Sequence, residues 1–162
     1  MNVSIRPLIE KDAYTSYKWR NDPEVFKYTG NIYSEEITLE SELSWIRRVI
    51  QKSDDYRCAI IVDGVYIGNI YLTDVVNGDS AEYHIFIGDK SYWGKGVAQR
   101  ASIEIMRYGF SNLNIRYIYL EVRMENRPAI CLYKKLGFVT KEIKKGFMVM
   151  AIDKEHYREL YG

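Results

Sequence analysis

The stretch Ser91-Tyr-Trp-Gly-Lys-Gly-Val-Ala-Gln-Arg100 interrupts a strand pattern with two glycines and runs directly into an amphipathic helix. Backbone N–H groups in the first turn of a helix lack internal partners and lie at the positive end of the helix dipole. A glycine-rich helix entry is therefore a seat for phosphate, and Gly94 and Gly96 let a diphosphate come close to those donors. Spacing excludes two nucleotide loops. Five residues separate Gly88 from Gly94, and Lys95 is followed by Gly96, so the four-residue gap and the Ser or Thr of a Walker loop are missing. A dinucleotide fingerprint needs a third glycine where Gln99 stands.

The 162 residues include 23 basic and 22 acidic side chains, for a net charge of +1. That balance does not favour nucleic acid or an anionic membrane as partner and points to a small molecule. One domain spanning residues 1–162 is expected, because no Pro-, Ser- or Gly-rich stretch marks a linker. Cys58 and Cys131 make neither a disulfide framework nor a Cys-x-x-Cys pair and read as buried thiols. His84 and His156 are not spaced with carboxylates or thiolates as metal ligands, so no metal is expected. The opening residues lack the apolar core of a signal peptide, and no run approaches the roughly 20 apolar residues that span a bilayer, so a cytoplasmic protein is expected.

Periodicity orders the elements. Val3 to Leu8 reads as a strand, and Lys11 to Tyr28 as two short helices interrupted at Pro23. Leu39, Leu43, Ile46 and Ile50 form the apolar stripe of another helix, widened by Trp45 and Val49. The period then becomes that of strands: Arg57–Val62, Val65–Val76 and Ala81–Ile87, joined by turns at Asp63-Gly64 and Asn77-Gly78, make an antiparallel meander. Val97–Phe110 is a helix with a broad buried face, and Ile115–Arg123 is a strand. Asn126 and Pro128 open a further helix that Gly137 ends. Phe138–Lys144 and Phe147–Ile152 close the chain as two strands. The fold class is α+β.

With the elements in this order, the chain resembles the GNAT superfamily of acetyl-CoA-dependent N-acetyltransferases over nearly its whole length. Three segments carry the likeness. Trp93 to Ala98 is similar to the family's Arg/Gln-x-x-Gly-x-Gly/Ala pyrophosphate loop, NRPAICLYKKLGF (126–138) to its Asn…Leu-Tyr…Gly-Phe helix, and AEYHIFIG (81–88) to its acyl-holding strand. Trp93 departs from the usual Arg or Gln, which matters little where backbone donors hold the phosphates. The segments IRPLIEKDA and WRNDPEV resemble the branch of ribosomal-protein N-terminal, spermidine, aminoglycoside and nucleotide-aminosugar acetyltransferases. The resemblance implies a single domain with a mixed, mostly antiparallel sheet of seven strands flanked by helices. It also implies acetyl-CoA as co-substrate and transfer to the primary amine of a small molecule. A peptide N-terminus as acceptor, or a non-catalytic acyl-CoA sensor, are the alternatives, and a homodimer is left open.

The same resemblance assigns site residues. The backbone amides of Ile85, Phe86 and Ile87, on a strand that splays from its neighbour at a bulge, would bind pantetheine and the acetyl carbonyl. Trp93, Gly94, Lys95, Gly96, Val97, Ala98 and Gln99 would form the diphosphate cradle, and Asn126 would cap its helix or bond the pantetheine arm. Tyr133 is the expected acid for the departing thiolate, since a phenol of pKa near ~10 donates without ionising first; it also fits a core stripe with Ala129, Leu132 and Leu136. Glu82 is the leading base, and His84, on the same strand face, could equally order a water near the amine. Trp19, Tyr28 and Tyr33 are the expected acceptor-binding aromatics, with Trp45 beside them. Glu35, Glu36, Glu40 and Glu42 crowd one stretch, as a cationic acceptor would require or as a solvated helix face would show.

Overall fold

A computed structural model describes residues 1–27 and 35–162. Strands β1 (Val3–Pro7), β2 (Tyr56–Val62), β3 (Val65–Val76) and β4 (Ser80–Ile87) run antiparallel, and β5 (Tyr117–Arg123) joins β4 in parallel. With β6 (Val139–Lys144) and β7 (Phe147–Asp153) they form a seven-stranded sheet in the order β1-β2-β3-β4-β5-β7-β6. Asp63 and Gly64 both take positive φ, 50° and 84°, at the two-residue hairpin turn between β2 and β3.

Helices cover both faces, so the middle of β3 is buried without alternation, from Ile67 to Thr73, with Asn69 and Thr73 as its polar members. Helices α3 (Val97–Asn112), α4 (Arg127–Leu136) and α5 (Lys154–Tyr161) pack on one face over Ile70, Leu72, Tyr83, Ile118, Leu120 and Met150. On the other face, α1 (Ala13–Arg20) and α2 (Leu39–Val49) enclose a smaller core of Leu8, Ala13, Ile46, Ala59 and Tyr71. The crossover from β4 to β5 through α3 makes the one parallel pairing in the sheet.

Four expectations need correction. Residues 23–27 make no second helix: the N–H groups of Val25 and Phe26 both donate to the Asp22 carbonyl, a single turn that Pro23 opens and that is too short to nucleate. The chain ends in a helix, α5, which the reading of two terminal strands omitted. Ile50, at the C-cap of α2, is 40% exposed, while Glu42 within the helix is buried. Cys131 is exposed, and only Cys58 is a buried thiol.

Candidate active site

The glycine turn has the backbone its sequence requires. Gly94 and Gly96 take φ of 74° and 78°, left-handed values that cost little only at glycine. Arg100 is the first residue of α3 with an intrahelical partner, its N–H donating to the Gly96 carbonyl at 3.2 Å. The N–H groups of Val97, Ala98 and Gln99 are thereby left facing out of the turn. A Cβ built on Gly94 or Gly96 would meet nothing within 4 Å, so the turn itself is uncrowded. Trp93 does not replace a phosphate-binding Arg: its indole N–H donates to the Ile87 carbonyl at 2.9 Å and ties the loop to the end of β4. Lys95 lies 5.9 Å from the Tyr92 ring, and Arg100 donates to the Met1 carbonyl at 2.8 Å.

Beside this turn the sheet opens. Pairing between β4 and β5 stops at Glu82 opposite Tyr119, although β4 continues to Ile87 and β5 to Arg123. No bulge in β4 produces the opening, contrary to expectation, because the register of β4 against β3 is unbroken from Thr73/Glu82 to Gly68/Ile87. The Gly88 N–H continues that ladder onto the Ile67 carbonyl at 2.9 Å. By antiparallel alternation the Phe86 amide also points to β3, while the amides of Ile85 and Ile87 point into the opening. Two of the three expected amides are therefore available there.

Glu82 and Tyr133 lie on opposite faces of the sheet, one on each side of this opening. Tyr133, on α4, is 9% exposed and meets Tyr83 edge-on, with ring centroids 5.7 Å apart. Among the described residues its hydroxyl has no hydrogen-bond partner, yet it is not sealed from solvent. Burial pushes the phenol up to about 12. Glu82 stands on the face of α1 and α2. Burial raises its carboxyl above the ordinary range, reinforced by the negative charges of Asp74 and Glu121. His84 Nε2 lies 3.3 Å from Glu82 Oε2 and 3.0 Å from Thr73 Oγ1.

The other expected residues divide. The side-chain oxygen of Asn126 accepts the Ala129 N–H at 3.3 Å, so the residue is the N-cap of α4 and keeps its amide nitrogen for another partner. Trp19 packs over the backbone of Gly88 and lies near Tyr66 and Phe86, forming an aromatic wall at the end of β4. Trp45 stacks under the Arg20 guanidinium at 4.2 Å and belongs to the packing of α2. Tyr28 and Tyr33 fall outside the described residues. Glu42 is not part of a solvated acidic face: it is 2% exposed, pairs with Arg20 at 2.8 Å and accepts from Ser16 at 2.7 Å. Thr73, Asp74, Tyr119 and Glu121 were not anticipated at the site. Period-two counting along β3 and β5 places Thr73, Tyr119 and Glu121 on one face with Glu82 once the strand pairing is known, while Asp74 lies at the break in the β3–β4 register after Thr73, with φ of 49°.

A helix start opened by two left-handed glycines, beside parallel strands that part after three pairs, is the arrangement expected of an acetyl-CoA-dependent acetyltransferase. The chain belongs to the GNAT acetyltransferases: the model of the acetyltransferase (GNAT) domain matches residues 2–139. It is similar to the spermidine N(1)-acetyltransferase of Escherichia coli (strain K12), 33% identical over 151 residues, covering 91% of this chain and 79% of that protein. Acetyltransferase PseH of Campylobacter jejuni is 28% identical over 131 residues, covering 81% and 79%. The crystal structure of spermidine N-acetyltransferase from Vibrio cholerae with CoA and spermine superposes with a TM-score of 0.85 at 24% identity, over 96% of this chain and 98% of that one. The protein is thus an N-acetyltransferase that uses acetyl-CoA. Among the described residues no group of His, Cys, Asp and Glu is placed to hold a metal, and no helix is long and apolar enough to cross a membrane.

Proposed function

We propose that the enzyme acetylates a primary amine of a small, multiply charged cationic acceptor, a polyamine foremost. The observation that carries this reading is the placement of Glu82 and Tyr133 on opposite faces of one opening in the sheet. Asp74 and Glu121 gather with Glu82 on the acceptor side, where an ammonium chain relieves their mutual repulsion. The likeness to a spermidine acetyltransferase supports the same class.

When bound, acetyl-CoA supplies an acetyl thioester. The open N–H groups from Gly94 to Gln99 hold its diphosphate, with Asn126 and the amides of Ile85 and Ile87 along the arm. Those two amides also stabilise the oxyanion, a contribution on the order of 3 kcal/mol per donor. An amine with pKa near ~10 arrives protonated, and Glu82 takes its proton directly or through a water. Tyr133, its phenol raised to about 12, stays protonated until the thiolate leaves and then gives it the proton, which the second proton lost by the acetylated nitrogen replaces. Trp19 lines the acceptor end, and Tyr28 and Tyr33 remain part of this proposal.

A cytoplasmic location is supported by two free thiols, one of them exposed, as a reducing compartment permits. A homodimer is proposed through edge strand β6, whose six residues are all exposed and include apolar Val139 and Ile143.

The test is release of free thiol from acetyl-CoA across polyamines, aminosugars, aminoglycosides and a peptide N-terminus. Release with polyamines at the highest kcat/KM is the expected result. Release with the peptide or a sugar alone would move the acceptor class, and binding of acetyl-CoA without release would make the protein a sensor.

A further inference from the structure

His84 sits where a proton taken by Glu82 has to go. Overall acetylation of an ammonium by acetyl-CoA yields amide, free thiol and one proton, so each turnover must discharge a proton to solution. The Glu82 side chain is 25% exposed against 44% for His84, and it stands among the like charges of Asp74 and Glu121, so the more open of the two groups is the imidazole. Thr73 and Glu82 are directly opposite in the β3–β4 register, and His84 is two residues along the same face of β4. One imidazole nitrogen, Nε2, faces both the Thr73 hydroxyl at 3.0 Å and the Glu82 carboxylate at 3.3 Å. Nδ1 has no hydrogen-bond partner among the described residues, and the side chain is 44% exposed. The ring therefore spans from the half-buried carboxylate to solvent, with buried Thr73 holding its orientation.

We propose that His84, oriented by Thr73, takes from Glu82 the proton that the amine has given up and releases it to bulk water. The bookkeeping closes in three transfers. The ammonium loses a proton to the Glu82 carboxylate, making a carboxylic acid and a neutral amine. The acid passes the proton to Nε2 of the neutral imidazole, restoring the carboxylate. The imidazolium then loses a proton to water, restoring the neutral ring.

The surrounding charges suit a transient carrier. Arg57 on β2 opposes protonation of His84, while Asp55 before β2 and Asp74 on β3 favour it. Desolvation of the part of the ring that lies against the sheet is the first influence and lowers the His84 pKa, which favours giving the proton up. Glu82 faces Asp74, Glu121 and Tyr119 as well as His84. His84 acts through Glu82 rather than on the amine, which makes it a positioning and relay residue.

The inference rests on the amine acetyltransferase reading above and is tested with His84→Gln and Thr73→Val in the full chain, using spermidine as acceptor. Glutamine keeps a polar contact with both neighbours but cannot carry the proton. At low buffer concentration His84→Gln should lower kcat about 10-fold, with acetyl-CoA affinity unchanged and the rate recovering as imidazole buffer is added. Wild-type turnover should not depend on buffer concentration. Thr73→Val should show a smaller buffer-rescued loss, and it decides the matter if His84→Gln does not fold. Wild-type turnover by His84→Gln, or a loss that buffer never restores, overturns the relay while leaving the acetyltransferase reading intact. A wild-type enzyme inactive on every amine overturns both.

Discussion

Tyr83 and Tyr133 meet at 85° where β4 parts from β5, and the Tyr83 hydroxyl lies 2.6 Å from Ser102 Oγ. Ser102 in turn donates to the Ala98 carbonyl at 2.6 Å. A continuous set of contacts therefore runs from the first turn of α3, the proposed diphosphate cradle, to the phenol proposed as acid. Tyr83 is a fully packed member of the core on one side and the wall of the opening on the other.

Replacing Tyr133 with Phe removes the proton donor and keeps the ring that packs on Tyr83 and Phe138. The expected result is a fall in kcat of about 10²-fold with acetyl-CoA affinity unchanged within about two-fold. Steady-state kinetics and calorimetric titration with acetyl-CoA separate the two quantities. Unaltered turnover would remove Tyr133 from the mechanism and leave it as a core residue.

Tyr83→Phe tests the link to the cradle. Ser102 keeps the Ala98 carbonyl as acceptor, so no donor is stranded, and the loss in stability should be about 1 kcal/mol. If the hydroxyl positions the first turn of α3, KM for acetyl-CoA rises several-fold and kcat falls little. A pure kcat defect would mean that Tyr83 acts on Tyr133 and not on the cradle.

At Gly96, alanine would have to adopt φ near 78°, a strain of about 1 kcal/mol, and its methyl would enter the open space over the turn. Gly64→Ala supplies the control, because Gly64 has φ of 84°, an equally open environment and a place at a distant hairpin. Both variants should lose similar stability by thermal melting. Only Gly96→Ala should weaken acetyl-CoA binding, by about 10-fold or more; equal affinities in the two variants would show that the turn does not hold the diphosphate.

Local signals were legible wherever a residue's role is decided by its chain neighbours. The cap at Asn126, the left-handed glycines at 94 and 96, the β2–β4 hairpins and the start of α3 all follow from spacing and backbone preference. Features decided across the sheet were not. The parting of β4 and β5 after Glu82 depends on the register of strands more than thirty residues apart, and so does the place of Glu121 beside Glu82. Helix α5 escaped because half of Lys154–Tyr161 is charged and Tyr157 alone is buried; its one local signal is the Asp153 carboxylate accepting the His156 N–H at 2.7 Å. Glu42 escaped for the opposite reason, since a glutamate in an acidic run gives no hint of Arg20 and Ser16 waiting on α1.

Glu82→Gln separates catalysis from stability at one position. The folded state disfavours the ionised carboxyl, through burial first and then Asp74 and Glu121, so its pKa in the fold lies above its unfolded value. Such a group contributes stability below the unfolded carboxylate range, near ~4.3, and that contribution is lost as pH rises through the elevated folded value. At neutral pH the wild type therefore carries the cost, and glutamine removes it. The variant should melt about 2 °C above the wild type at pH 7, with the difference shrinking toward pH 4, while kcat falls about 10²-fold. In the wild type, the acid limb of kcat/KM should be displaced upward from the ordinary carboxylate range. A variant that melts lower than wild type at pH 7 would mean that the Glu82–His84 contact outweighs the repulsion from Asp74 and Glu121. An acid limb at the ordinary carboxylate value would assign the base to another group.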